Sequence, residues 1–76
     1  MELKGFKQDK FFIVKAGGRL DATTATEFEK FCLESIQQGE SMLVVDLAGL
    51  EYMSSAGLRS ILVVGKKLKS AGGSLS

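Results

Sequence analysis

The sequence contains no histidine and only one cysteine, Cys32, among its 76 residues. Without histidine the chain lacks the commonest general base, which excludes Ser-His-Asp and Cys-His hydrolysis by this chain alone. A single cysteine forms no internal disulfide, and no histidine or second cysteine is present to bind a metal beside it. We therefore predict that Cys32 is a small buried apolar residue and that the protein holds no metal or other cofactor.

Long apolar runs and a large net charge are also missing. The longest apolar runs, 42–45 and 61–64, are far shorter than the ~20 residues that span a bilayer, and the polar N-terminus is unlike a signal peptide. The net charge is +1, and the nine glycines are scattered rather than clustered in a phosphate-binding loop. These features predict a cytoplasmic protein with no nucleic-acid or membrane partner.

The composition that remains is typical of one small folded domain, with 45% hydrophobic residues and 25% charged residues of balanced sign. Residues 3–8 have a faint strand pattern, and residues 11–14 are aromatic and β-branched, which favours a strand. Asp9 and Lys10 fit a tight polar turn between these strands. Two glycines, 17 and 18, are expected to end the second strand.

After these glycines the apolar spacing becomes helical and predicts a first helix over residues 23–38. Thr24 and Glu27 have the spacing of a capping box, Thr23 and Asp21 are alternative N-caps, and Gly39 is expected to end the helix. The apolar stripe of this helix is expected to face the core; it consists of Phe28, Phe31, Cys32 and Ile36.

Residues 41–49 form an apolar run without alternation, which is typical of a central strand of a parallel sheet, expected to end at 46–49. A second helix is predicted from Ser55 to about residue 70. Its inward residues are expected to be Leu58, Ile61, Leu62, Gly65 and Leu68, and its outward residues Arg59, Lys66, Lys67 and Lys69. The sequence thus predicts an α/β fold with the order β-β-α-β-α, a mixed sheet with parallel central strands, and helices packed on the sheet.

The stretch LEYMSSAGLRSIL places Ser54 and Ser55 in the turn that leads into the second helix. Serine is a preferred N-cap, so either hydroxyl has a structural explanation. The first turn of a helix also stabilises an added phosphate, because unpaired N–H groups and the positive end of the helix dipole lie there. Both interpretations hold together if Ser54 caps the helix and Ser55 projects into solvent. Tyr52 and Met53 are expected to anchor the turn in the core.

The stretch VVDLAGLEYMSSAGLRSIL resembles the signature of STAS domains, particularly bacterial anti-sigma factor antagonists. The matching residues are Asp46, Leu47, Tyr52, Met53, Ser55, Gly57 and Leu58. Upstream, Gly18, Leu20 and Asp21 are similar to the segment that leads into the first helix of this family. The resemblance extends from about residue 3 to residue 76, although many relatives have aspartate at the position of Ser54 and serine at that of Ala56.

The resemblance implies a function in partner switching. By position, Ser55 matches the serine that is phosphorylated by a kinase anti-sigma factor, and a phosphatase would reset it. The surface implied for binding this partner consists of Asp21, Thr23, Thr24, Ser54, Ala56, Gly57, Leu58 and Arg59. Residues 74–76 start what could be another strand. Members of the family continue through a further strand and a C-terminal helix, so this chain is expected to be C-terminally shortened, to lack both elements and to self-associate through the incomplete sheet edge.

Two alternatives remain open from the sequence. The first is a STAS-like accessory domain of a lipid or anion transport system, which would dock through the same surface without phosphorylation. The second is a receiver-type domain in which Asp46 accepts the phosphate, although this chemistry needs Mg²⁺ and further carboxylates that the second strand does not supply. We expect Asp46 to be a structural hydrogen-bonding residue instead.

Overall fold

In the computed structural model, which describes residues 1–76, the chain forms four strands and two helices. The strands are β1 (Glu2–Gln8), β2 (Phe11–Leu20), β3 (Met42–Met53) and β4 (Ser74–Leu75), and the helices are α1 (Ala25–Gln37) and α2 (Ser55–Ser70). The predicted order is confirmed. The expectation that the C-terminal strand is missing is wrong, because two residues after α2 pair with β3 as β4.

One four-stranded sheet has the spatial order β1-β2-β3-β4. β1 and β2 are antiparallel and joined by a two-residue turn, in which Asp9 adopts a left-handed conformation with φ 55°. β2, β3 and β4 are parallel, so α1 and α2 are crossover helices. Right-handed crossovers between strands in this order place both helices on the same face of the sheet.

The hydrophobic core lies between this face of the sheet and the two helices. Its fully or almost fully buried members are Val14, Ala16, Leu20, Phe28, Cys32, Leu43, Val64 and Leu68. Phe28 and Cys32 are therefore core residues as predicted, whereas Phe31 is only partly buried. The rings of Phe12 and Phe31 occupy the space beside Gly5, where a Cβ atom would lie only 2.6 Å from the Phe12 ring.

The two long strands extend beyond their predicted ends. β2 passes through Gly18, which has φ +89°, and continues to Leu20. β3 continues to Met53, because two register shifts add one residue each to β3 while its pairing with β2 is maintained. The glycines of the sequence therefore accommodate β-bulges rather than ending the strands. As a result both strands reach the start of α2.

The first helix begins later than predicted, at Ala25, and its capping box does not form. The Thr24 side chain makes no cap hydrogen bond to the helix; its hydroxyl instead donates to the Arg19 carbonyl at 2.8 Å. At the other end, Gly39 has φ +104° and donates its N–H to the Ile36 carbonyl, as the sequence predicted for a helix stop.

The buried face of α2 agrees with the predicted one only in part, because Leu68 is buried and Ile61 packs against the core as predicted. Its buried residues are Gly57, Ser60, Val64 and Leu68. The predicted inward residues Leu58 and Leu62 are 51% and 64% exposed. The helix packs closely through small residues, and the Ser60 hydroxyl reaches the Ala25 carbonyl of α1 at 3.3 Å. Neither helix is long and apolar enough to cross a membrane.

Candidate functional site

The candidate site lies at the sheet edge where β2 and β3 end. Leu20 and Met53 are paired as the last residues of these two strands. One residue further on, the Ser54 N–H donates to the Leu20 carbonyl at 2.9 Å, so the pairing of β3 with β2 continues up to the first turn of α2. This arrangement brings the segment after β2, residues 21–24, to the same edge as the N-terminus of α2.

Ser54 is the N-cap of α2. Its backbone is extended, with φ −90° and ψ 174°, and its hydroxyl accepts a hydrogen bond from the Gly57 N–H at 3.3 Å. The Ser54 carbonyl accepts from the Leu58 N–H at 3.0 Å. The structural explanation of this serine is therefore confirmed, because its hydroxyl oxygen is the acceptor of the helix cap.

Ser55 is the first residue of α2, and it is exposed. The N–H groups of Ser55 and Ala56 belong to the first turn and have no intrahelical carbonyl to bind. No acidic residue lies in this turn to offset the positive end of the dipole. Arg59 is exposed one turn further along the helix. The electrostatic environment of the Ser55 hydroxyl is therefore favourable to an added anion.

Gly57 brings α2 into direct contact with the main chain of β2. A Cβ atom at this position would lie 2.7 Å from both the Cγ atom and the carbonyl oxygen of Leu20. The residue is buried, so it positions the first turn of α2 and presents no side chain to a partner. Ala56, between this glycine and Ser55, is partly buried.

The segment after β2 is a hydrogen-bonded turn centred on Asp21. Its Oδ1 atom accepts from the Thr23 N–H at 3.0 Å and from the Thr23 hydroxyl at 2.7 Å. The Asp21 carbonyl accepts from the N–H groups of Thr24 and Ala25, which connects the turn to the start of α1. Thr23 is exposed, whereas Asp21 and Thr24 are partly exposed. The turn is therefore fixed by its own side chains and offers a polar surface.

The hydrogen bonds of this turn also change the acidity of Asp21. Hydrogen bonds from the Thr23 side chain and backbone lower the pKa of this carboxyl below its ordinary value of 3.8, and the neighbouring Arg19 contributes in the same direction. The carboxylate is ionised at neutral pH. One negative charge therefore lies in the turn next to the end of β2.

Two residues at this edge were not predicted as part of the site. The guanidinium group of Arg19 lies 4.3 Å from the ring centroid of Tyr52, and its Nε atom is 3.5 Å from Oδ2 of Asp21. Tyr52 is 45% exposed, so the expectation that it anchors the turn in the core is wrong. Met53 does pack against the core. The bulges of β3 bring Arg19 and Tyr52 into register, which simple strand alternation does not predict.

The remaining residues predicted for the partner surface, Leu58 and Arg59, are exposed on the first turns of α2. The structure therefore groups Thr23, Ser55, Leu58 and Arg59 as exposed residues at or near one edge. Asp46 lies away from this edge, because it pairs with Lys15 in the middle of β2 and β3. Its carboxylate accepts from the Ala48 N–H at 3.0 Å, which agrees with a structural role.

Cys32 lies in the core and is fully buried, as predicted. Burial raises the pKa of its thiol from 9.0 to about 12. The thiolate form is therefore scarce at neutral pH, and the residue has no part in the site.

Two relatives with curated names align with this chain. BtrV of Bordetella bronchiseptica, named as a candidate anti-sigma factor antagonist, is 36% identical over 75 residues, which cover 99% of this chain and 65% of that protein. The anti-sigma-B factor antagonist of Staphylococcus aureus strain NCTC 8325 is 43% identical over 51 residues, which cover 67% of this chain and 47% of that protein. The chain therefore spans less than two thirds of the length of either relative.

Solved structures share the fold. Unphosphorylated SpoIIAA, an anti-sigma factor antagonist, has a TM-score of 0.80 at 17% identity, over 97% of this chain and 69% of that chain. The phosphorylated form of SpoIIAA from Bacillus has a TM-score of 0.78 at 17% identity, over 97% and 68%. Residues 6–76 match the family model of the STAS domain. Together with the fold and the BtrV match, this shows that the chain belongs to the STAS domain family.

Proposed function

We propose that this STAS domain acts as an anti-sigma factor antagonist and that phosphorylation of Ser55 controls its binding. The names of the BtrV and staphylococcal relatives support the general role. The observation that supports a phosphorylation switch is that two adjacent serines have different surroundings. Ser54 caps α2, and Ser55 is left exposed at the positive end of the same helix.

The position of Ser55 at the N-terminus of α2 would stabilise a phosphate group attached to its hydroxyl. A kinase would transfer the γ-phosphoryl group of ATP to the Ser55 oxygen and release ADP, while the hydroxyl proton goes to a base of the kinase. The product carries about −1.5 to −2 charges at neutral pH, which the N-terminal N–H groups of a helix stabilise. The kinase carries out this reaction, and the chain supplies only the acceptor hydroxyl.

The same charge would end the complex with the partner. In the proposed complex an anti-sigma factor contacts the turn of Asp21 and Thr23 together with Ser55 and Leu58. Small residues at positions 54–57 allow close approach, so a dianion placed there loses its hydration when the partner binds. It is also repelled by any acidic groups that the partner places opposite it.

The test incubates the chain with ATP and a candidate kinase anti-sigma factor from the same organism, and intact-mass spectrometry is the readout. The unsubstituted chain is expected to gain one phosphate and Ser55→Ala none. Ser70→Ala provides the matched control, because Ser70 is an exposed serine at the other end of α2, and it is expected to accept phosphate normally. Modification that persists in Ser55→Ala would refute the assignment of the acceptor.

Binding is measured separately, without ATP, by calorimetry. Ser55→Ala is expected to bind the anti-sigma factor as tightly as the unsubstituted chain, and Ser55→Asp to bind at least about tenfold more weakly. If the unsubstituted chain does not bind the anti-sigma factor at all, the general role fails as well. An accessory role in a lipid or anion transport system, without phosphorylation, would then be the better hypothesis.

A further inference from the structure

Arg19 and Tyr52 form an exposed pair beside the turn of Asp21, at the end of β2 and β3. They are paired across the two strands, one step before Leu20 and Met53. Leu20 is buried and Met53 packs against the core, so Arg19 and Tyr52 point to the other face of the sheet. The side chain of Arg19 is 60% exposed, and Tyr52 is 45% exposed. Both are therefore available to a partner.

The sheet is only two strands wide around this pair. The pairing of β1 with β2 ends at Gly17, and β4 pairs with β3 at Met42 and Leu43, far from Tyr52. No further strand therefore flanks Arg19 or Tyr52. A partner that contacts the Asp21 turn can reach this pair as part of the same continuous surface.

The guanidinium group of Arg19 is positioned from two sides. It lies over the ring of Tyr52, 4.3 Å from the centroid, where the ring face attracts a cation. Its Nε atom is 3.5 Å from Oδ2 of Asp21. The Arg19 carbonyl accepts from the Thr24 hydroxyl at 2.8 Å, which fixes the main chain at the same point. A guanidinium that is already positioned loses less conformational entropy when it binds a partner.

The charge of Arg19 is only partly compensated within the chain. The 3.5 Å contact to Asp21 is longer than the roughly 2.7–2.9 Å of a hydrogen bond between charged groups. Asp21 offers a single oxygen, because its Oδ1 atom accepts two hydrogen bonds from Thr23. The contact also involves only Nε, so the N–H groups of the two Nη atoms are left for another acceptor. A carboxylate fits them, because it accepts two parallel hydrogen bonds from a guanidinium.

We propose that Arg19, positioned by Tyr52 and Asp21, selects the anti-sigma factor by binding one of its carboxylates, from an aspartate or a glutamate. This inference rests on the proposed function and names one specificity-determining contact of it. Arginine and tyrosine are enriched among the residues that dominate binding energy in protein interfaces. An anti-sigma factor with a basic residue opposite Arg19 is repelled, so the contact discriminates between possible partners.

The test measures binding by calorimetry, without ATP, to a candidate kinase anti-sigma factor from the same organism. Arg19→Gln is expected to raise the Kd at least about tenfold, and Arg19→Glu to raise it further because it adds repulsion. Raising the salt concentration from about 50 to about 300 mM is expected to weaken the unsubstituted complex more than the Arg19→Gln complex, since salt screens charge pairs.

Substitutions of Tyr52 test its positioning role. Tyr52→Phe keeps the ring face and is expected to leave the Kd unchanged. Tyr52→Leu removes the ring face and is expected to raise the Kd about two- to fivefold, as estimated from the strength of an exposed cation–π contact. Equal effects of the two substitutions would contradict the positioning role.

Lys10→Gln is the matched control for Arg19→Gln. Lys10 also lies over an aromatic ring, that of Phe11, at 5.6 Å from the centroid. It belongs to the turn between β1 and β2, at the opposite end of β2 from Arg19. Its loss is expected to leave the Kd unchanged, and circular dichroism checks that each variant is folded. An equal weakening by Lys10→Gln would indicate a general charge effect and overturn the proposal.

Charge reversal in the partner identifies the carboxylate. The aspartates and glutamates of the anti-sigma factor are replaced by lysine one at a time. One of these variants is expected to bind the unsubstituted chain weakly and to bind Arg19→Glu again. If Arg19→Glu weakens binding and no lysine variant restores it, the assignment of a carboxylate is wrong.

The outcomes also separate this inference from the proposed function. If Ser55→Asp weakens binding but Arg19→Gln and Arg19→Glu bind as tightly as the unsubstituted chain, the selecting contact is refuted and the proposed function stands. If the unsubstituted chain binds no anti-sigma factor, both are refuted.

Discussion

Replacing Gly57 by alanine tests how closely α2 is joined to β2. The new Cβ atom would lie 2.7 Å from the Leu20 carbonyl oxygen, whereas ordinary van der Waals contact begins at 3.4 Å. The missing 0.7 Å cannot come from a rotamer change alone, because the carbonyl belongs to the backbone of a central strand. The first turn of α2 has to move away from β2, which lengthens the 2.9 Å hydrogen bond from the Ser54 N–H to the same carbonyl.

Two opposing effects determine how much Gly57→Ala changes the free energy of unfolding. Overpacking of a well-packed site typically costs about 1–3 kcal/mol, and contact with a backbone atom places Gly57→Ala in the upper part of that range. Alanine in place of glycine recovers up to ~1 kcal/mol of helix propensity in a helix interior, and less in the first turn. The free energy of unfolding is therefore expected to fall by about 1–2 kcal/mol, which for a domain of this size lowers the Tm by roughly 4–16 °C.

Gly65→Ala is the matched control in the same helix. Its Cβ atom would lie 3.3 Å from the Cδ2 atom of Leu75, the end of a flexible side chain. Gly65→Ala is therefore expected to be as stable as the unsubstituted chain or up to ~1 kcal/mol more stable. Urea unfolding followed by circular dichroism measures both variants. Equal stabilities for the Gly57 and Gly65 variants would refute the close contact between α2 and Leu20.

Three further predictions concern single side chains. Ser54→Ala leaves the Gly57 N–H without its acceptor and is expected to lower the free energy of unfolding by about 1 kcal/mol in the same assay, whereas Ser54→Asp keeps the cap and the stability. Because folding lowers the pKa of Asp21, its contribution to stability is complete above the ordinary value of 3.8 and is lost as the pH falls through the lowered pKa. The stability difference between the unsubstituted chain and Asp21→Asn should therefore be constant from pH 5 to 7 and shrink below about pH 4. Cys32, whose pKa is raised to about 12, is expected to resist iodoacetamide at pH 8 in the folded chain and to react in urea; equal rates would contradict its burial.

The order from β1 to α2 could be predicted because most of these elements carry a clear local signal. The aromatic and β-branched residues of β2 and the continuous apolar run of β3 indicate strands, and the helical spacing after Gly18 and Ser55 indicates helices, whereas β1 has only a faint pattern. The strand ends could not be predicted in the same way, because Gly17, Gly18 and Gly49 are typical of turns as well as of bulges. Only the pairing of β2 with β3 decides between these two conformations, and pairing is a tertiary property.

The orientation of α2 was predicted correctly for Ile61 and Leu68 but not for Leu58 and Leu62, because the helix has apolar residues on more than one side. Leu58 and Leu62 suggest an apolar stripe, but the helix packs through Gly57 and Ser60, whose small side chains allow the shortest distance to β2 and α1. Hydrophobicity alone ranks serine and glycine below leucine, so it selects the wrong face. The contact between Arg19 and Tyr52 was missed for a related reason, because it depends on the extra residues in β3.

The two positions at the junction of β2 and α2 differ in the amino acids that they tolerate. The acceptor at position 20 and the donor at position 54 are peptide groups, which almost every amino acid supplies. Substitutions at either position therefore leave this hydrogen bond intact, except for proline at position 54, which has no N–H group to donate. Position 57 has the opposite property, because it has room for a hydrogen atom only. Homologues with quite different side chains around the serine pair would thus still present residue 55 at the same place and in the same direction.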